Sequence, residues 1–224
     1  MANEIDGFLK SLEVVKLDNC FNPYADRCKV YDLPNAFEVR KENLRLILER
    51  CASAPVVDLW VGRDLGHKGG RRTGIALLDE LQMDAYASKL GIGLLSRATT
   101  GKPVKEQTAT SVAQAMENCS VPILTWNVFP FHPHNSGCPF SNRSHTLREA
   151  QIGCELLLRL TRLVSIRYVV AIGADAKRSM AAIGQDIKAV RHPSFGGKNS
   201  FLEQMKNIYP APAKPVKQLS FHLD

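Results

Sequence analysis

The sequence predicts a three-layer α/β/α sandwich with a central, mostly parallel four-stranded sheet. Three observations predict it. Apolar runs of strand length alternate with segments of helical spacing, the pattern of βαβ units. The runs are nearly continuous in apolar residues, as strands buried on both faces are. Each run then breaks abruptly into a loop, and carboxyl-terminal strand ends are where open α/β sheets place their chemistry. A chain of 224 residues is long enough for one such domain and nothing demands two. The expected division is a single domain over 1–209 and a loosely attached Pro- and Lys-containing tail over 210–224.

In chain order, residues 4–15 form an amphipathic helix with Ile5, Phe8, Leu9 and Leu12 on one face. The turn-rich stretch 18–35 is an ordered loop, and 37–51 is a helix stopped by Pro55. The first strand, VVDLWV, is interrupted only by Asp58 and ends in the loop GRDLGHKGGRRT. Residues 74–90 have helical spacing (Ile75, Leu78, Leu81, Ala85), with Gly91 and Gly93 marking the end. A polar, basic loop follows over 94–110, then a short helix over 110–118 and the second strand, VPILTWNVF. After the loop FPFHPHNSGCPFSNRSH comes a helix over 146–164, begun by Ser144 or His145, with Leu147, Ala150, Cys154, Leu157 and Leu160 as its apolar positions and Glu149 in its first turn. The third strand is RYVVAIG, the next helix begins near Asp175, and the fourth strand is IKAVRHP.

Lys and Arg number 29 against 22 Asp and Glu, a formal charge of +7 that favours a polyanionic partner. The amino terminus lacks the basic start and apolar core of a secretory signal, and no run approaches a membrane span, so a cytoplasmic protein with no membrane partner is expected. Six scattered cysteines with no Cys-x-x-Cys are expected to be reduced thiols, Cys154 among them as core packing.

Asp64, Asn127 and His192 fall at successive strand ends and line one edge of the sheet. A carboxylate there steers a water and opposes developing positive charge. An amide offers donor and acceptor in one plane and reads a base edge. A neutral imidazole donates to an oxygen that becomes anionic. Together they fit hydrolysis of an N-glycosidic bond in DNA. Taken singly, each residue also has a structural explanation: a strand-end cap for Asn127, a satisfied core imidazole for His192, a loop-closing acceptor for Asp64.

The sequence GRDLGH at 62–67 resembles the GQDPYH water-activating motif of uracil-DNA glycosylases, and HPSF at 192–195 resembles their HPSP motif. Trp126, Asn127 and Val128, with Asn142 and Arg143 downstream, are similar to the LLLN and NVxxxxPxxNR segments of that superfamily. The motifs come in the family's order over about residues 45–205. The resemblance implies a monofunctional DNA glycosylase in which Asp64 positions the attacking water, Asn127 reads the flipped base beside Gly66 and His67, and His192 stabilises the leaving oxyanion. Flipping is required because the glycosidic carbon cannot be reached inside the stack. Arg71, Arg72, Arg143, Ser194 and Lys198 are the expected DNA contacts.

The departures carry information. Gly66 stands where the uracil-specific branch has a Tyr that blocks a 5-methyl group, which implies an open pocket wall. The Phe that stacks on uracil is not found in GGRRTG, and Phe195 stands where an intercalating wedge is due, either as that wedge or packed under its loop. Phe131 occupies a position where some branches carry an iron–sulfur cysteine, so no cluster and no other cofactor is expected. His132, His134, Cys138 and His145 match no standard zinc spacing, and a phosphate-facing loop is the expected reading, with no metal. The substrate is expected to be uracil or a 5-modified pyrimidine in DNA, acted on by a monomer. The alternatives are hypermodified viral pyrimidines in an antiviral role, or a DNA-binding relative that has lost the chemistry.

Overall fold

A computed structural model describes residues 2–181 and 187–210. The expected tail, beyond Pro210, lies outside the described residues. Four parallel strands form the sheet: β2 (Val57–Asp64), β3 (Ile123–Phe129), β5 (Ile166–Ile172) and β6 (Ile187–Val190), in the order β3-β2-β5-β6. This is the predicted α/β architecture. A two-stranded antiparallel ribbon, β1 (Cys20–Phe21) with β4 (His132–Pro133), joins the turn-rich stretch 18–35 to the loop after β3.

Helices cover both faces. On one, α1 (Ala2–Glu13) buries Ile5, Phe8, Leu9 and Leu12, and the Phe8 ring lies 5.7 Å from that of Trp126. The same layer holds α2 (Ala36–Ala52) and α6 (Leu147–Leu160). Gly153 lets α6 approach the Val128 carbonyl of β3 so closely that any side chain there would collide. On the other face lie α4 (Met83–Leu90), α5 (Gln107–Met116) and α8 (Lys198–Ile208); Tyr86 donates to the Ile123 carbonyl at 2.8 Å. A single turn, α3 (Gly70–Thr73), follows the first strand loop, and α7 (Ala174–Met180) follows β5.

Asp58, the one charge in the apolar run of β2, is fully buried and fully partnered. Arg167 donates to its two oxygens at 2.8 and 2.7 Å, and the Tyr209 hydroxyl donates at 2.9 Å while accepting from Trp60 Nε1 at 2.8 Å. A buried carboxylate persists only when so satisfied. The arrangement fastens the end of α8 to the central strand.

Several boundaries differ from expectation, each for a local reason. The helix expected over 74–90 exists only as α4, because Gly74 and Leu77 adopt left-handed backbone (φ 73° and 60°) and Asp79 Oδ1 captures the amides of Leu81 and Gln82. The helix expected at 110 begins at Gln107. Thr146, not Ser144 or His145, caps α6 in a reciprocal capping box with Glu149, and Leu147 stands exposed in the first turn. Helix α8 had no counterpart in the sequence reading. Cys154 is only half-buried, and all six cysteines are free thiols. Among the described residues no helix is long and apolar enough to cross a membrane.

Candidate active site

From β2 one crossover leads to β3 on one side, and the chain later returns as β5 on the other. The crevice beyond the carboxyl ends of β2 and β5 is thus the topological switch point, where α/β sheets bind ligands. Asp64 ends β2 there, its side chain 6% exposed. Both carboxylate oxygens are held: Oδ1 by Nδ1 of His145 and Oδ2 by Nε of Arg63 at 2.7 Å. Each oxygen keeps a further lone pair with which to accept from a water. Arg63 extends Nη1 to Asp175 Oδ2 in the first turn of α7 at 3.1 Å, and so bridges the ends of β2 and β5.

Asn127 lies opposite Gly62 across the β2–β3 pairing, two residues before Asp64 reaches the edge. It is 1% exposed, and its Oδ1 has no hydrogen-bond partner. A β-carbon at Gly62 would lie 2.5 Å from that oxygen and 2.8 Å from Cδ2 of Leu77. The glycine therefore makes the space in which the amide and Leu77 meet. Leu77 is held there at a backbone angle that a β-carbon disfavours.

His192 follows β6 and packs against Gly173, whose own β-carbon would come within 3.2 Å of it. The Ser194 amide donates to its Nδ1 at 3.2 Å and the Ser194 hydroxyl lies at 2.7 Å. With Nδ1 as acceptor, the neutral ring carries its proton on Nε2. Burial, and then the charge of Arg63, holds the His192 pKa below the ordinary histidine value, with Asp175 opposing. Beyond it the loop projects Phe195, 97% exposed and at φ 50°, clear of the loop rather than packed under it. An open groove of about 340 Å³ runs between this loop and the start of α5, with Lys105 and Lys198 on its walls. A larger cavity, about 400 Å³, lies away from this edge between α4 and α5.

The other expected residues are placed differently. Arg71 and Arg72 are buried, not turned to solvent. Arg71 donates to Tyr31, the Pro139 carbonyl and His132 Nδ1, while Arg72 pairs with Glu80 at 2.8 Å. Arg143 spends its guanidinium on both oxygens of Glu149 at 2.7 and 2.6 Å and on backbone carbonyls. These three arginines brace loops in this structure instead of standing free in solvent as expected. At Gly66, where an open wall was expected, Glu106 Oε1 lies 2.8 Å from where a β-carbon would stand.

His67 donates its amide to Asn142 Oδ1 at 3.0 Å, while its Nδ1 is buried without a partner. Asn142 Oδ1 also lies 3.1 Å from His132 Nε2. Because Arg71 can only donate to His132 Nδ1, the ring gives its proton to Asn142. Burial and the Arg71 charge push the His132 pKa down to about 3, fixing it neutral. His134 turns to the Asn135 carbonyl, Cys138 is exposed and His145 faces Asp64, so these four do not converge. Among the described residues no three His, Cys, Asp or Glu side chains are gathered as a metal site would need.

His145 and Arg63 are the site residues that sequence reasoning missed. The capping box of Thr146 and Glu149 is legible as T-x-x-E, and it would have left His145 just outside the helix, free to point elsewhere. Nothing in residue type or spacing marks Arg63.

No family model matches the chain, and no curated protein matches it. Among solved structures it is similar to the crystal structure of wild-type SMUG2 from Pedobacter heparinus. The TM-score is 0.62 at 12% sequence identity, over 92% of this chain and 96% of that one. The likeness is one of fold: a parallel four-stranded sheet flanked by helices, the uracil-DNA-glycosylase-like architecture.

Proposed function

We propose that this chain is a monofunctional DNA glycosylase that hydrolyses the N-glycosidic bond of a flipped uracil or 5-modified pyrimidine and leaves an abasic site. The observation that carries the reading is Asp64: a carboxylate at the switch point, fixed on both oxygens, with the neutral His192 ring across Arg63 from it. A pure binding surface has little use for a desolvated carboxylate facing phosphates.

In this mechanism the base enters over Asn127, displacing Leu77 and giving the unpartnered Oδ1 a donor. As the bond from sugar to base breaks, its electron pair leaves with the base, and Nε2–H of His192 stabilises the anionic oxygen. Asp64 opposes the positive charge on the sugar and orients the water that adds to the anomeric carbon, whose proton passes to the carboxylate. Donors and charges aimed in advance at developing charge account for the largest part of such rate enhancements. Phe195 fills the space in the stack, and Lys105 and Lys198 meet phosphates.

The test is incubation of the wild-type chain and Asp64→Asn with duplexes carrying uracil, a thymine mismatch, or a hydroxymethylated or glucosylated pyrimidine, scoring abasic sites by alkaline cleavage. Cleavage by wild type at one or more of these bases, lost in Asp64→Asn, is the expected result. No abasic site from any duplex would sink the reading.

A further inference from the structure

Glu106 is the residue before α5, and its carboxyl is tucked into the loop that follows Asp64. Its Oε1 lies 2.8 Å from the position a β-carbon would take on Gly66, and a side chain at Gly69 would collide outright with Oε2. Two glycines of one loop thus leave a hollow shaped to a carboxyl group. The backbone is fastened there, since the Glu106 amide donates to Asp79 Oδ2 at 2.7 Å. Glu106 directly follows Lys105 of the groove wall that faces Phe195, and the Asp79 that fixes it lies two residues after Leu77, the cover over Asn127. Its carboxyl therefore stands against Gly66, two residues beyond Asp64.

Among the described residues neither oxygen of the Glu106 side chain is paired with a protein donor. The charged groups facing it are Asp79 on the preceding loop and Lys68 between the two glycines. Burial, then Asp79, push its pKa up to about 7, with Lys68 opposing. A half-buried carboxyl with no protein donor keeps acceptor capacity that a ligand can use. Asn127, 1% exposed, has a buried Oδ1 without a partner and also calls for a donor.

We propose that Glu106 is a specificity-determining residue, its carboxylate accepting a hydrogen bond from an N–H or O–H donor on the base being excised. The inference rests on the glycosylase reading and deepens it. The donor has two possible sources, an exocyclic amine or a hydroxyl on a ring substituent, and both satisfy the same acceptor. A site built to bond such a donor discriminates against the base that lacks it, since the acceptor is then left without its partner.

The experiment measures single-turnover excision by wild type, Glu106→Gln and Glu106→Ala from duplexes holding one uracil, cytosine, 5-hydroxymethyluracil or 5-hydroxymethylcytosine. Thermal melting of each variant accompanies it. In wild type the added donor raises excision over uracil, and Glu106→Ala removes about tenfold to a hundredfold of that preference. Loss with both hydroxymethyl bases identifies the hydroxyl as the source, and loss with both cytosines identifies the amine. The wild-type preference is larger above about pH 7 than below it, and Glu106→Gln flattens that dependence. Variants that melt like wild type and lose all bases by one common factor, or none, overturn the role of Glu106 while leaving the glycosylase reading intact. A wild type that excises no base at all overturns both.

Discussion

Nδ1 of His145 is hydrogen-bonded to Oδ1 of Asp64, joining residues 81 positions apart at the end of the central strand. Asp64→Asn should lower excision by about a hundredfold to a thousandfold, the scale of one preorganised electrostatic group, with duplex affinity retained. His145→Ala should lower the single-turnover rate by about tenfold or more, because a misaimed catalytic group is expensive even when present. His145→Asn, which still offers a donor, should recover part of it. Excision by His145→Ala at the wild-type rate would remove His145 from the positioning of Asp64.

The pH profile should report His192. The neutral ring is the useful form, and its pKa is lowered by burial and by Arg63, so excision should hold through neutral pH and fall only below the ordinary histidine value. Arg63→Gln removes the positive neighbour, raises the His192 pKa and moves the acid limb upward. A wild-type acid limb at or above pH 6.5 would contradict the assignment.

Phe195 presents an apolar ring to solvent on a left-handed backbone, the form a wedge needs before it meets a duplex. Phe195→Ala should reduce excision from duplex DNA far more than from single strands, where no stack has to be filled. Equal losses on both would make Phe195 a general binding contact and not a wedge.

Arg72 should matter for stability and not for DNA. Burial alone would raise the Glu80 pKa, but hydrogen bonds from Thr99, Arg72 and the Val104 amide outweigh it and hold the pKa below the usual value. Stability from Glu80 is therefore present above the ordinary carboxylate range and lost as pH falls through the lowered pKa. Arg72→Ala should cost about 3–5 kcal/mol in chemical denaturation, the penalty for stranding a buried charge. The salt slope of DNA binding should not change, whereas Lys105→Ala and Lys198→Ala should each lower it by about one. A shallower slope in Arg72→Ala would return that arginine to the interface.

The strands were legible because continuous apolar runs such as ILTWNVF leave few other readings. Asp64 and His192 were legible by position, since runs buried on both faces break at the sheet's edge, whereas Asn127 lies inside β3. The region 74–90 misled because Ile75, Leu78 and Leu81 keep helical spacing while Asp79 takes the amides a helix would use. Charge misled as well. Counting arginines does not reveal which will be buried, and the pairing of Arg72 with Glu80, like that of Asp64 with His145, exists only once the chain has folded.

The fastening of α8 to β2 sets an order on how the protein is made. Trp60 donates to the Tyr209 hydroxyl and Asp58 accepts from it, 149 and 151 positions apart in sequence, so the middle of the sheet is finished by a residue made long after β2. A nascent chain on the ribosome holds β2 without that partner until Tyr209 has cleared the exit tunnel. Chains arrested before Tyr209 should stay open to protease and pass to a resistant state once it emerges, and resistance gained earlier would show that β2 closes without it.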